Sequence, residues 1–218
     1  MSADLMPRWR EQLASGIAEL GLALDRETQE RLLAFLALLN KWNGAYNLTA
    51  VRNPHEMVSR QLLDSLSLVP FVTAERVLDV GSGGGLPGIP LAIVFPGRRF
   101  TLLDSNSKKT RFLTQCKLEL GLDNLEVIHG RAEDCQPDTP YRQVTSRAFT
   151  ALANLVTWCG PLLAADGEFL AMKGQFPDDE VAALPAGWRV KHHQSLTVPG
   201  CTGERHLLRL DRQPSTAD

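Results

Sequence analysis

No window of this 218-residue chain approaches 18 consecutive apolar residues, so a helical membrane span is excluded. Met1 to Arg10 lacks the apolar core of a secretion signal, and the expected location is the cytoplasm. Cysteine is scarce, and Cys116, Cys135, Cys159 and Cys201 form no C-x-x-C pair. That spacing favours reduced structural thiols over a disulfide frame or a zinc site. His192, His193 and His206 have no metal-ligand spacing either, so no metal is expected. Net charge is also missing: 23 basic against 25 acidic residues give −2. Residues 1–70 hold 7 basic and 8 acidic residues, which leaves 16 and 17 for the remainder. Neither part is a polycation, and any nucleic-acid binding must come from a local patch. There are no internal repeats and no low-complexity segments.

What is present is concentrated at Val77-Leu-Asp-Val-Gly-Ser-Gly-Gly-Gly-Leu-Pro-Gly88. A short apolar run breaks at glycines and restarts as the apolar stretch Ile89 to Phe95. Such a turn is expected to bring backbone N–H groups and a positive helix end close to a ligand. Pro87 suits the first helical position. Gly83, Gly85 and Gly88 match G-x-G-x-x-G, the dinucleotide pattern, which alone is weak. Asp79 inside the strand shifts the balance. An acid there would sit near a pyrophosphate, whereas S-adenosylmethionine (SAM) has no phosphate and a cationic methionine end. Asp104, about 20 residues past the glycines, is placed to hold ribose hydroxyls. It could instead cap the helix that starts near Ser107.

The rest of the chain frames this motif. Leu13, Ile17 and Leu20 recur at helical spacing. Asp25 can cap a helix with a wide apolar stripe from Leu32 to Trp42, which Asn43-Gly44 should end. Asn53-Pro54-His55-Glu56 is a helix start for a segment running to about Val69. This region reads as a helical lid or platform without its own chemistry. From Arg76, strand candidates 76–80, 99–104, 124–128, 142–146 and 167–172 alternate with helical stretches 88–95, 108–120 and 150–164. That alternation predicts an α/β fold with a mostly parallel sheet. Two further strands, about 188–196 and 204–210, form an antiparallel pair able to close the sheet edge. The expected division is a helical extension over 1–72, a catalytic domain over 73–212 and a frayed tail over 213–218. Ligands of open parallel sheets bind beyond the carboxyl ends of the strands. The relevant loops are then 81–86, 104–109, 130–134, 146–147 and 173–174.

Those loops carry a family resemblance. Lys41-Trp42-Asn43 through Tyr46-Asn47-Leu48-Thr49, Leu63-Asp64-Ser65, Leu78 to Pro90 and Leu102 to Ser105 contribute to it. So do Lys108-Lys109 with Arg111-Phe112-Leu113, Gly130 to Glu133, Ser146 to Phe149, Lys173-Gly174 and Gly203 to His206. Across nearly its whole length the chain resembles the small-subunit ribosomal RNA guanine-N7 methyltransferases, the glucose-inhibited division protein B family. The resemblance implies a class I SAM-dependent methyltransferase fold, Rossmann-like, with a seven-stranded sheet whose last strand is antiparallel. It implies SAM as cofactor and N7 of guanine 527 in 16S rRNA as target. It places Gly81, Gly83, Gly85, Leu86, Asp104, Ala132, Glu133 and Arg147 at the cofactor. One departure stands out: Gln61 occupies a position where the family usually has His. Gln does not titrate near neutral pH, so Gln61 is assigned no catalytic role.

Arg147 and Lys173 are expected closest to the reacting guanine. The Asn/Asp-Pro-Pro-aromatic motif of exocyclic-amine methyltransferases is absent at Ser146-Arg147. Guanine N7 has a free lone pair and no proton to remove, so no general base is required. Lys108, Lys109 and Arg111 crowd one helix's first turn against its dipole. With Arg131, Lys173 and Arg205 they form the expected RNA-binding rim; a solvated basic face is the plainer reading of the helix cations. In A-form RNA the N7 edge is too deep for side chains, so the expected partner is the small ribosomal subunit or an assembly intermediate. A monomer is expected, for lack of an exposed apolar stripe. Three alternatives stay open: SAM-dependent methylation of a small molecule or protein, a nicotinamide oxidoreductase, and a non-catalytic RNA-binding factor.

Overall fold

The computed structural model describes residues 4–214, so the expected frayed tail lies, beyond Pro214, outside the described residues. Seven strands form one sheet: β1 (Arg76–Val80), β2 (Arg99–Asp104), β3 (Leu125–His129), β4 (Tyr141–Arg147), β5 (Leu163–Lys173), β6 (Trp188–Ser195) and β7 (His206–Arg212). Their order is β3-β2-β1-β4-β5-β7-β6. β1 to β5 pair in parallel, and β7 inserts antiparallel between β5 and β6. This is the class I methyltransferase arrangement that the alternating pattern and the resemblance predict.

Side-chain alternation along the strands sorts residues to two faces. Val77, Phe100, Leu102, Leu170, Met172 and Leu207 face one core. Leu78, Val80, Leu103, Phe169, Ala171, Leu208 and Leu210 face the other. The first core is covered by α4 (Gly88–Val94) and α5 (Ser107–Glu119), and by the N-terminal helices α1 (Leu5–Glu19) and α2 (Arg26–Tyr46). The second is covered by α6 (Leu152–Cys159), with the short α7 (Asp178–Ala182) beside it. Leu32, Leu33, Phe35, Leu36 and Leu39 of α2 are all fully buried, at about 1.5–3 kcal/mol each. The N-terminal segment therefore shares its core with one sheet face.

The expected caps form: Asp25 accepts from Thr28 N at 2.8 Å and Asn53 from His55 N at 3.1 Å. Three expectations at element ends need correction. Asn43-Gly44 does not end α2, which runs on to Tyr46 and stops at Asn47 in the left-handed region. Asn43 is buried and serves the next loop, accepting from Thr49 N at 2.9 Å and donating to Val51 O at 3.2 Å. The expected helix 54–69 is broken into a 3₁₀ turn Pro54–Glu56, a π-helix Val58–Leu63, α3 (Asp64–Leu66) and a 3₁₀ turn Val69–Phe71. The helix expected over 150–164 stops at Cys159, because Gly160-Pro161 tightens into a 3₁₀ turn and β5 has begun by Leu163. All four cysteines are free, and burial pushes the Cys159 thiol up to about 12, in keeping with structural thiols. No helix among the described residues is long and apolar enough to cross a membrane.

Candidate active site

β1 has β2 on one side and β4 on the other, so the chain's crossovers reverse direction there. The loop leaving β1 lies at that switch point, where open α/β sheets bind ligands. Gly81, Gly83 and Gly85 take φ of +64°, +57° and +83°. At Gly81 a Cβ would also stand 2.2 Å from the Phe149 ring. Most of the loop's N–H groups are engaged within the protein and do not meet a ligand as expected; Gly84 N–H, on the larger cavity, is the exception among the described residues. Gly81 and Ser82 donate to Leu103 O, Gly85 and Leu86 to Ser82 O, Gly83 to Asp104 Oδ2 and Gly88 to Asp79 Oδ2. The N-terminus of α4 is thus filled by the protein's own carboxylate, and α4 starts at Gly88 with Pro87 as its cap. A pyrophosphate would find these donors consumed.

Asp79 is accordingly an anchor beneath the loop. It is buried, lines neither cavity described below, and accepts from Thr145 Oγ1 at 3.1 Å as well as from Gly88. Burial pushes its carboxyl up to about 7, against the opposing pull of these hydrogen bonds. The expectation that it meets a cationic methionine end is not met by this placement.

Two cavities flank the loop and share Gly81, Lys109 and Ala148. The smaller, of about 370 Å³, is lined by Asp104, Arg131, Ala132, Glu133, Phe149 and Trp158 among others. Asp104 accepts from Gly83 N at 2.9 Å and from Asn106 N at 2.8 Å. Asn106, not Asp104, caps α5, accepting from Lys108 N and Lys109 N. Each carboxylate oxygen of Asp104 accepts one of these bonds and so keeps a further lone pair. Phe149 and Trp158 meet edge to face at 6.1 Å and form an aromatic wall. Ala148 sits at φ +51°, a strained value for a residue with a Cβ, and turns the chain between Arg147 and Phe149.

The larger cavity, of about 520 Å³, lies between the loop and the N-terminal segment. Thr49, Gln61 and Asp64 reach it from that segment, Thr49 from the loop after α2, Gln61 from within the π-helix and Asp64 from its C-terminal end. π-turns recur at functional sites because the extra residue re-aims side chains. Asp64 is buried and holds two arginines, Arg147 at 2.7 Å and Arg205 at 3.0 Å. Arg147 also donates to Gln61 Oε1 at 2.6 Å and to Arg60 O at 3.2 Å, while Gln61 donates to Thr49 Oγ1 at 2.7 Å. Lys173 is pinned to Glu180 Oε2 at 2.7 Å and Thr150 O at 3.0 Å. Both ring nitrogens of His206 are engaged, one by His193 at 2.8 Å and one by Glu204 at 3.2 Å.

The expected site residues separate on this map. Gly81, Gly83, Leu86, Arg147, Lys173 and Arg205 line the larger cavity, and Asp104, Arg131, Ala132 and Glu133 the smaller. Gly85 lines neither; a Cβ there would strike Ile89 at 2.5 Å, so its role is packing. Lys108 and Arg111 stand on the exposed face of α5, outside both cavities. Residues not anticipated at the site are Thr49, Gln61, Asp64, Ala148, Phe149 and Trp158. The N-terminal segment, read as lacking chemistry, supplies the groups that hold Arg147 and Arg205. The only signal was the clustering of Asn47 to Thr49 and Leu63-Asp64-Ser65 in the resemblance.

Residues 28–208 match the family model described as rRNA small subunit methyltransferase G. The chain belongs to this family. A protein of Marinobacter nauticus named ribosomal RNA small subunit methyltransferase G is 73% identical over 94% of this chain and 96% of its own length. One from Pseudomonas syringae with the same name is 58% identical over 97% and 99%. Among solved structures, the mitomycin 7-O-methyltransferase MmcR aligns with TM-score 0.61 at 18% identity, over 97% of this chain and 69% of that one. TrmN from Thermus thermophilus gives 0.56 at 17%, over 72% and 53%. A TehB-like SAM-dependent methyltransferase from Corynebacterium glutamicum gives 0.52 at 15%, over 69% and 88%. At these identities the structures show the fold alone, and membership in the methyltransferase G family rests on the family model and the close relatives.

The residues present fit the cofactor that this fold implies. Asp104 offers acceptors to a diol, and the aromatic wall with Ala132 accommodates a flat ring. With six of the loop's N–H groups already bonded within the protein, the loop favours a ligand without phosphate.

Proposed function

We propose that this protein transfers the methyl group of S-adenosylmethionine to N7 of guanine 527 in 16S rRNA of the small ribosomal subunit. Family membership supports the rRNA substrate class. One observation carries the choice of a proton-free reaction. Among the described residues lining the larger cavity, Asp64 is the sole carboxylate, and two arginines occupy it. His206, the sole histidine there, has both nitrogens bonded. A site with no free base suits a nucleophile that has a lone pair and no proton, which is guanine N7. When bound, the cofactor supplies an electrophilic methyl on a sulfonium, whose C–S bond breaks as the C–N7 bond forms.

The protein's own work is then positioning. Asp104, Ala132 and Glu133 hold the nucleoside in the smaller cavity, with Gly81, Gly83 and Leu86 admitting the reacting end. Arg147, steered by Asp64 and Gln61, borders cofactor and substrate. Its counter-charge matters, because a bare cation against N7 would compete for the lone pair. Lys173 holds the far wall through Glu180. Lys108, Arg111 and Arg131 contact RNA phosphates on the outer rim, and Arg205 contacts the target strand. We keep residues 1–72 as an extension that completes the site over the catalytic part 73–212. The protein acts as a cytoplasmic monomer on the subunit or an assembly intermediate.

The test uses labelled SAM and small subunits from cells that lack this gene. Cleavage at N7-methylguanine should map one labelled base at the expected position. Label at another atom or base, or none on rRNA, overturns the assignment. Equal labelling of a short bare hairpin overturns the subunit as substrate.

A further inference from the structure

Five cations line the larger cavity: Arg60, Lys109, Arg147, Lys173 and Arg205. Four are paired inside the protein: Arg60 with Glu56 at 2.8 Å, Lys173 with Glu180, and Arg147 and Arg205 with Asp64, whose single negative charge the two arginines share. Among the described residues the Lys109 ammonium makes no ion pair and no hydrogen bond, although Asp104 and Glu133 line the smaller cavity with it. It is half-buried, whereas its neighbour Lys108 is exposed. Its place is the third position of α5, where a cation opposes the helix dipole. From there the side chain folds back over the glycine loop, its Nζ 4.0 Å from where a Cβ on Gly83 would stand. Lys109 is also one of the three residues common to both cavities. A half-buried cation without a direct partner, in an unfavourable helix position, is a feature that an arriving anion would relieve.

We infer that Lys109 is the counter-ion for the α-carboxylate of the cofactor's amino-acid end, and not an RNA-phosphate ligand as its sequence neighbours suggest. This rests on the cofactor reading given above. SAM has one anionic group, its carboxylate; its other charges, the sulfonium and the α-ammonium, are positive. A ligand with its nucleoside in the smaller cavity and its reacting end in the larger must pass the shared wall that Lys109 overhangs. RNA phosphates approach from outside, where Lys108 and Arg111 already stand.

The test compares two ligands by calorimetry on the full chain: S-adenosylhomocysteine and its decarboxylated counterpart, the 3-aminopropyl thioether of adenosine. The wild type should prefer the carboxylated ligand by roughly 10- to 100-fold, the range of one charge-assisted hydrogen bond. Lys109→Met should lose most of that preference, with the decarboxylated ligand bound as before, and Lys109→Arg should keep it. Unchanged binding of the decarboxylated ligand also shows that Lys109→Met is folded. If Lys109→Met keeps the preference while the salt slope of rRNA binding falls by about 0.7–0.9, one phosphate contact has been lost and the inference is overturned. A wild type that binds neither ligand overturns the cofactor reading and the inference with it. A wild type that binds both equally overturns the inference alone.

Discussion

The two walls of the cleft are built in unlike ways. The glycine wall is the more local: Gly81 to Gly88 fold against Asp79 and Asp104, with four of its N–H bonds going to backbone carbonyls and two to these carboxylates. The arginine wall is assembled from afar. Asp64 meets Arg147 across 83 positions and Arg205 across 141. The first wall sets the shape of a pocket through dihedral angles and missing side chains. The second sets a charge pattern through side chains that no local pattern orders. A local wall should fail by strain, and a distant one by loss of a counter-charge.

The largest effect is expected at the distant wall. Asp64→Ala leaves Arg147 and Arg205 close together without an anion and should cost about 3–5 kcal/mol, read by urea denaturation. Methyl transfer should fall far more than cofactor affinity. An unchanged midpoint would show that the two arginines need no common anchor, and the comparison would break.

The next effect separates the walls by pH. In the folded chain Asp79 titrates at about 7, well above its ordinary 3.8, because it is buried. A carboxyl whose folded value is raised contributes stability that is complete below about pH 4. That contribution is lost as pH rises toward 7 and is constant above. An asparagine side chain at this position can reproduce the neutral form, accepting from Gly88 N–H and donating to Thr145. The stability of the wild type relative to Asp79→Asn should therefore fall by on the order of 3–4 kcal/mol between pH 4 and 7, at about 1.4 kcal/mol per tenfold change in proton affinity. A difference independent of pH would remove Asp79 from its place as the buried anchor of the loop.

Strain gives a smaller, graded effect. Gly81→Ala drives a Cβ to 2.2 Å from Phe149 at φ +64°, whereas at Gly83 the nearest atom is Gly81 O at 3.7 Å and only the φ of +57° opposes a side chain. Expected losses are about 1–3 kcal/mol for Gly81→Ala and about 1 kcal/mol for Gly83→Ala. The reverse order in thermal unfolding would show that Phe149 moves aside freely.

The smallest effect refines the arginine wall. Gln61→Leu removes one acceptor from Arg147 and should cost about 1–2 kcal/mol, with kcat lowered more than the KM for SAM. Gln61→His can repeat both bonds when neutral, accepting from Arg147 and donating to Thr49. Once protonated, it faces Arg147 as a like charge. Its activity should drop below about pH 6.5 while the wild type's does not. Parallel pH profiles would mean that position 61 does not steer Arg147.

Legibility in the sequence followed the same divide. Strands β1 and β2 matched their expected bounds because an apolar run bounded by turn residues is a local signal, as are the caps Asp25 and Asn53. Asn43 misled because an Asn before Gly is a common helix stop; here its amide serves residues 49–51 instead. The π-helix has no signature in residue spacing, so the aim of Gln61 and Asp64 was not foreseeable. Gln61 was set aside as unable to titrate, yet its use is as a fixed donor and acceptor. The charge of Lys108, Lys109 and Arg111 was visible as one cluster. Only the backbone separates Lys109, turned over the loop, from the other two.

The strand order carries a consequence for how the chain is made. β6 leaves the ribosome before β7 yet has no partner until β7 slots in between it and β5. Arg205, the second arm of the Asp64 fork, lies just before β7. A nascent chain released only through Lys173 already contains every residue of the glycine wall but lacks one of the two cations opposite. Stalled-chain complexes should accordingly acquire cofactor binding well before they acquire activity toward rRNA. The fork that Asp64 makes with its two arginines is thus complete only once the last strand of the sheet has been synthesised.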